Sequence, residues 1–273
     1  MAFFKVRDGR FVPDYPAVSW WSPQQVNGVA ACALIARQLE THDPGPAFTP
    51  ARLTVEFLMP VLNEPIALES HIVREGNRVV VADASIVQHG EIRARATLSY
   101  LAVSEQPPGE IWAPDEQPPV PMVRLTDPEG NVPQFKTGDS GWSPDFAAAQ
   151  NADRKHVWQN FPPVVEGEAM SPLQRVAALG DSTNMVCNWG SAGVGYINSD
   201  MTVTLARLPE GNEVGLQAQD HVAAAGVAVG TATMYDRSGR IGTTIVTCVA
   251  NARRQIDMAS AAAAAADAGT LAP

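Results

Sequence analysis

The first residue whose type and surroundings could do chemistry is Asp181. It follows Val176-Ala177-Ala178-Leu179-Gly180, an apolar run of helical character. A carboxylate delivered by such a run is a candidate general base, because burial raises its pKa toward the working range. A nearby helix start would act the other way and favour the charged form. The competing reading is a helix cap or a solvent-facing side chain, since Asp is a favoured cap. Three further positions carry open alternatives. Asn198 precedes a strand and either makes an Asx turn or binds water. Thr247 shares a strand face with Ile245 and Val249, so it either packs with its hydroxyl bonded locally or reaches a site. Asn27-Gly28 either starts a helix or presents a backbone N–H to a developing oxyanion.

Other catalytic patterns fail on spacing. Gly141-Trp142-Ser143-Pro144-Asp145 misses the second glycine of a serine nucleophile turn. Gly193-Val194-Gly195-Tyr196-Ile197-Asn198 stops short of a dinucleotide-binding loop and precedes a strand. The five histidines, His42, His71, His89, His156 and His221, make no metal-binding pair at helical spacing. Cys32, Cys187 and Cys248 are odd in number and far apart, without a C-x-x-C, so they read as buried free thiols. No metal site is expected.

The chain that must position these groups has 273 residues, 45% of them hydrophobic and 18% charged. That composition describes a globular protein of one large or two modest domains. A formal charge of -10 with no basic cluster argues against nucleic acid as a partner. The apolar stretch Val29 to Ala36 ends at Arg37 and is too short to cross a bilayer. The start, Met1-Ala2-Phe3-Phe4-Lys5-Val6-Arg7-Asp8, lacks an export signal, and a cytoplasmic address is the expectation.

An internal repeat organises the sequence. Ser22-Pro23-Gln24-Gln25 resembles Ser171-Pro172-Leu173-Gln174 at an offset of 149. Leu53-Thr54-Val55 matches Met201-Thr202-Val203 at 148, and Gly90 matches Gly239 at 149. Each copy predicts a helix starting near Pro23 or Pro172, followed by strands. Leu53, Val55 and Phe57 alternate with polar residues, as do Ile92, Ala94, Ala96, Leu98 and Tyr100. In the second copy, Met201, Val203 and Leu205, then Val214, Leu216 and Ala218, then Ile241, Thr243, Ile245, Thr247 and Val249 are expected on the buried face. By this register Asp181 falls opposite Cys32, and the first helix has no carboxylate until Glu40. One working site per chain follows, contributed mainly by the second half and placed where the halves meet.

The expected units are residues 1–103, a linker over 104–150, residues 151–256, and a tail over 257–273. Six prolines between Gln106 and Pro121 define the linker. Phe4 to Val12 reads as a hairpin about Asp8-Gly9. The tail is almost pure Ala, offers little to bury and is expected to be disordered.

One helix wrapped by an antiparallel sheet, present twice, resembles the α+β double hotdog architecture. The segments Arg52 to Pro60, Ser171 to Ser182 and Tyr196 to Arg207 resemble the acyl-CoA thioesterase II (TesB-like) family, with similarity from about residue 15 to about 255. The resemblance implies hydrolysis of an acyl-CoA thioester by water, without metal or organic cofactor. It carries the family's water-activating Asp onto Asp181 and a small polar strand residue onto Asn198. The family's Gln falls on Val246 or Thr247 and is absent. Hotdog hydratases need His five residues after Asp, a pairing this chain lacks. Trp20, Trp21 and Trp189 either line an acyl tunnel or pack as core aromatics. The competing function is a double hotdog that binds acyl groups or a protein without turnover. The expected partners are acyl-CoA and further copies of the chain, as a homodimer or larger.

Overall fold

The computed structural model describes residues 1–126 and 132–267, with side chains given to 265. The first half contains β1 (Phe4–Arg7), β2 (Arg10–Pro13), α1 (Gly28–Leu39), β3 (Phe48–Phe57), β4 (Ala67–Arg74), β5 (Val79–Gln88) and β6 (Glu91–Ala102). The second half contains β7 (Gln134–Thr137), α2 (Phe146–Ala149), β8 (Lys155–Gln159), α3 (Pro172–Asn188), β9 (Trp189–Gly190) and β10 (Gly193–Val194). It continues with β11 (Tyr196–Leu205), β12 (Val214–Ala224), β13 (Val227–Asp236), β14 (Gly239–Ala250) and α4 (Met258–Asp267).

Ten strands form one antiparallel sheet in the order β4-β5-β6-β3-β11-β14-β13-β12-β8-β7. The halves join where β3 pairs with β11, with Thr54 opposite Thr202 and their hydroxyls 3.0 Å apart. Those two residues are repeat equivalents at an offset of 148. A residue paired with its own counterpart marks the pseudo-twofold axis, so the repeat read in the sequence is a physical symmetry. Helices α1 and α3 pack together under the sheet, and the Glu40 carboxylate after α1 accepts from Ser171 Oγ and, at 2.6 Å, from Gln174 Nε2 at the start of α3. The two helices therefore run in opposite directions. This is the double hotdog arrangement.

Both helices are buried on most of their circumference because each lies between the sheet and the other helix. Ala30 to Ala36 and Leu39 are buried in α1, and Leu173 and Val176 to Gly180 in α3. Small residues set the spacing. A Cβ on Gly180 would lie 2.6 Å from both Met201 Sδ and Val203 Cγ2 of β11. The Gly180→Ala variant gains about 1 kcal/mol of helix propensity. It loses roughly 1–3 kcal/mol to overpacking against a stiff, buried valine. A net destabilisation of about 1 kcal/mol is expected in denaturant unfolding, and a rise in stability would contradict the packing argument.

Four expectations change. Helix α1 begins at Gly28, not near Pro23. The Ser22 to Gln25 segment forms a turn whose Gln25 N donates to Ser22 O, and Asn27 supplies the cap. Only α3 starts at its proline, with Ser171 and Gln174 forming a reciprocal capping box. Second, the buried face of β14 is Ile241, then Thr244, Val246 and Cys248. Met234 pairs with Gly242 and Tyr235 with Arg240, leaving Ile241 as an extra residue that reverses the alternation. Arg93 is the corresponding extra residue on β6, which leaves Ile92 exposed. Third, the 104–150 segment ends in regular structure, because β7 pairs with β8 at the sheet edge and α2 follows. Fourth, the tail forms α4, with Met258 and Ala265 buried; residues 268–273 lie outside the described residues. The hairpin about Asp8-Gly9 forms as expected, with φ of 49° and 72° at its two turn residues. No helix among the described residues is long and apolar enough to cross a membrane.

Candidate active site

A cavity of about 680 Å³ opens where the halves meet. Its walls come from the start of α1, the middle of α3, the end of β3, the start of β11 and the residues around α4. Asp181 is the one charged side chain among the described lining residues. Burial pushes its carboxyl up to about 6, while a hydrogen bond from Asn198 pulls it back toward the ionised form. Its position is fixed by close contact, since a Cβ on Gly28 would lie 2.1 Å from Asp181 Oδ1. Only a glycine at the first turn of α1 admits the carboxylate there.

Asn27 anchors that turn. Its Oδ1 accepts from Ala30 N at 2.8 Å, and its Nδ2 donates to Pro16 O at 2.8 Å and Val18 O at 3.4 Å. The amide of Ala31 is taken by Asn27 O. Helix geometry leaves the amides of Gly28 and Val29 without an intrahelical partner, and both residues line the cavity. The pair starts a helix, and the start leaves open donors beside Asp181, with the positive end of the helix dipole behind them.

Asn198 reaches the site through a bulge. Asn198 pairs with Cys248 and Asp200 with Thr247, so Ser199 is the extra residue. Met201, Val203 and Leu205 face the core. The insertion turns Asn198, rather than Ser199, onto that inner face. Its Nδ2 donates to Asp181 Oδ1 at 2.9 Å. Ala51, at the equivalent position of β3, bulges in the same way. For Asn198→Ala we expect the Asp181 pKa to rise further, because the hydrogen bond from Asn198 that favours the ionised form is lost. Any activity that depends on the carboxylate then shifts to higher pH, and an unshifted profile would separate the two residues.

Thr247 is not brought to Asp181. Its neighbours Val246 and Cys248 are buried, which places Thr247 on the opposite face, where its carbonyl accepts from Ser199 Oγ at 3.0 Å. The cause is the Ile241 bulge. Val246 faces the apolar core, so neither position allowed for the family's Gln puts a polar group beside Asp181. Cys32 is fully buried and its thiol pKa is pushed well above the ordinary value by burial and by Asp181. Trp20 and Trp21 line the cavity. Trp189 packs in the core, edge-on to Phe135 with ring centroids 5.2 Å apart.

Three polar residues of this region escaped the sequence reading. Gln159, from β8, lines the cavity and donates through Nε2 to Ser182 Oγ at 3.2 Å. Asn184 and Asn188 follow Asp181 on α3, and Asn184 lines the cavity. Their spacings of three and seven residues from Asp181 put Asn184 and Asn188 on its face of the helix, the signal that would have found those two.

Two family models match the chain, one described as the acyl-CoA thioesterase N-terminal domain over residues 17–101, the other as the C-terminal domain over residues 108–249. A search of curated proteins returned no match. Solved structures match over nearly the full length. A TesB protein of Mycobacterium avium subsp. paratuberculosis is 16% identical, with a TM-score of 0.65 and coverage of 90% of this chain and 94% of its own. A putative thioesterase II of Thermobifida fusca is 15% identical, with a TM-score of 0.65 and coverage of 91% and 96%. A hot dog protein of unknown function from Alicyclobacillus acidocaldarius is 19% identical, with a TM-score of 0.63 and coverage of 90% and 95%. At these identities the structures speak for the fold alone.

Proposed function

This chain belongs to the TesB-like acyl-CoA thioesterase family, and on that premise we propose that it hydrolyses the thioester of an acyl-CoA with a water molecule activated by Asp181. The observation that carries the reading is the placement of one ionisable carboxylate, the one charged side chain among the described lining residues, against the open amides of a helix start.

The chemistry follows from those groups. A water held by Asp181 attacks the thioester carbonyl carbon as its proton passes to the carboxylate. The carbonyl π electrons move onto oxygen, where the N–H groups of Gly28 and Val29 stabilise the oxyanion. When the carbonyl reforms, the C–S bond breaks and the thiolate takes the proton from Asp181. That last transfer is downhill, because an acid with a pKa of about 6 faces the conjugate base of a thiol near 8.5. Asn198 stays with Asp181 Oδ1 throughout and leaves the other oxygen for water. No cofactor enters the scheme. The apolar lining, including Trp21, Phe57, Met59, Phe146 and Met258, suits an acyl chain.

The test is thiol release from a panel of acyl-CoAs of different chain length, measured across pH. We expect kcat/KM to rise with pH through about 6 and then level, because the working form is the deprotonated one. Absence of release from every member would favour a binding protein of the same fold. We place the protein in the cytoplasm and expect a homodimer or larger homo-oligomer, which an apparent-mass measurement checks.

A further inference from the structure

Four side chains form a directed line of hydrogen bonds from the end of α3 to the cavity. Asn188 Nδ2 donates to Asn184 Oδ1 at 2.7 Å, Asn184 Nδ2 donates to Asn198 Oδ1 at 3.3 Å, and Asn198 Nδ2 donates to Asp181 Oδ1 at 2.9 Å. An isolated carboxamide can turn over and exchange its oxygen for its nitrogen. Here the direction is anchored from outside the line. Asn184 Nδ2 also donates to the backbone carbonyl of Tyr196 at 3.1 Å, and a carbonyl oxygen only accepts. Asn184 Oδ1 receives the Cys248 thiol at 3.5 Å as well. With Asn184 held this way round, Asn198 has to present its oxygen to Asn184 and its nitrogen to the cavity.

We propose that Asn184 is a positioning residue, which locks the Asn198 carboxamide with its N–H aimed at Asp181 and so keeps that carboxylate ready to accept a proton. The inference rests on the reading of Asp181 as the base. A reversed Asn198 would set its oxygen against the carboxylate oxygen and oppose ionisation. The bulge at Ser199 and the line through Asn184 thus serve one end: the first brings Asn198 to the inner face, and the second decides which of its atoms points inward.

Among the described residues, the other ionisable groups around the cluster are the thiols of Cys32 on α1, Cys187 on α3 and Cys248 on β14, with Asp200 across β11 on its outer face. Burial raises all three thiols, Cys187 and Cys248 to about 12, so none changes charge where Asp181 titrates. Asp181 is therefore the group to follow.

The experiment compares Asn184→Leu, Asn188→Ala and Asn198→Ala with the native chain in two readouts. One is the pH profile of thioester hydrolysis; the other is titration of the Asp181 side-chain carboxyl by carbon NMR. For Asn184→Leu we expect the carboxyl midpoint to move to higher pH, with kcat/KM about 3- to 10-fold lower at pH 6 and the gap closing by pH 8.5. Asn188→Ala leaves the Cys248 thiol on Asn184 Oδ1, and it is expected to give a smaller shift of the same sign. It also serves if the leucine variant does not fold. In the Asn198→Ala background, Asn184→Leu is expected to add no further shift, because its effect runs through Asn198. A rate loss equal at all pH values, or an unmoved carboxyl midpoint, would overturn the proposal. If the native chain hydrolyses no thioester, the NMR titration still reads the lock by itself, so failure of the hydrolase reading and failure of this one remain distinct.

Discussion

Replacing Asp181 by Asn is expected to lower kcat for acyl-CoA hydrolysis by roughly 10²- to 10⁴-fold, the range supplied by a positioned general base. The substitution is nearly isosteric, and its carbonyl oxygen can still accept from Asn198 Nδ2, so the cavity keeps its shape while losing its proton acceptor. Stability should move the opposite way. The folded-state pKa of about 6 lies above the ordinary carboxylate value, so the ionised group opposes folding. That cost is absent below pH 4, grows as pH rises from 4 to 6 and is full above 7. The asparagine variant should therefore match the native chain at low pH and exceed it at pH 8, by no more than about 3 kcal/mol. Denaturant unfolding at the two pH values measures this. A variant that lost activity together with stability would identify Asp181 as a structural residue.

The second large effect is expected from a single methyl group. In Gly28→Ala the new Cβ would fall 2.1 Å from Asp181 Oδ1 and 2.4 Å from its Cγ, well inside van der Waals contact, so the carboxylate must swing away. Swinging breaks the Asn198 bond and moves the base relative to the open amides of α1. A displacement of about 1 Å at a reacting group can cost about 10²-fold. The helix itself should be no less stable, because alanine replaces glycine in a helical conformation at a gain of up to about 1 kcal/mol. Hydrolysis rate and thermal unfolding, measured on one sample, separate the two effects. Unchanged kcat would mean that Asp181 works from another position.

The contrast between the two halves shows what could be read without coordinates. The repeat was legible because Leu53-Thr54-Val55 and Met201-Thr202-Val203 each carry period-two burial, and their central threonines face one another across the pseudo-twofold axis. Asp181 was legible because the five residues before it are apolar and buried. Bulges were not legible. Ile241 and Ser199 look like ordinary strand residues, and inserting one of them reverses every side chain beyond it. One bulge took Thr247 away from the site, and the other brought Asn198 in. The start of α1 is not legible because Ser-Pro has the chemistry of a helix start in both halves, while in the first half Ser22 to Gln25 form a turn from which Gln25 bridges to Leu62. Helix α4 is not legible because a short alanine run favours helix but is marginal without packing; its burial comes from a docking site that composition does not reveal. Asn184 was overlooked because its role depends on contacts across three elements, although its spacing from Asp181 was in plain view.

Single-turnover hydrolysis with enzyme in excess, run in water enriched in oxygen-18, tests the water-activating role of Asp181 most directly. Attack by activated water puts one heavy oxygen in the released carboxylic acid and none in the Asp181 side chain, which is the result expected here. An unlabelled acid with a labelled Asp181 would mean that the carboxylate itself attacks the thioester and is then hydrolysed, contradicting the account.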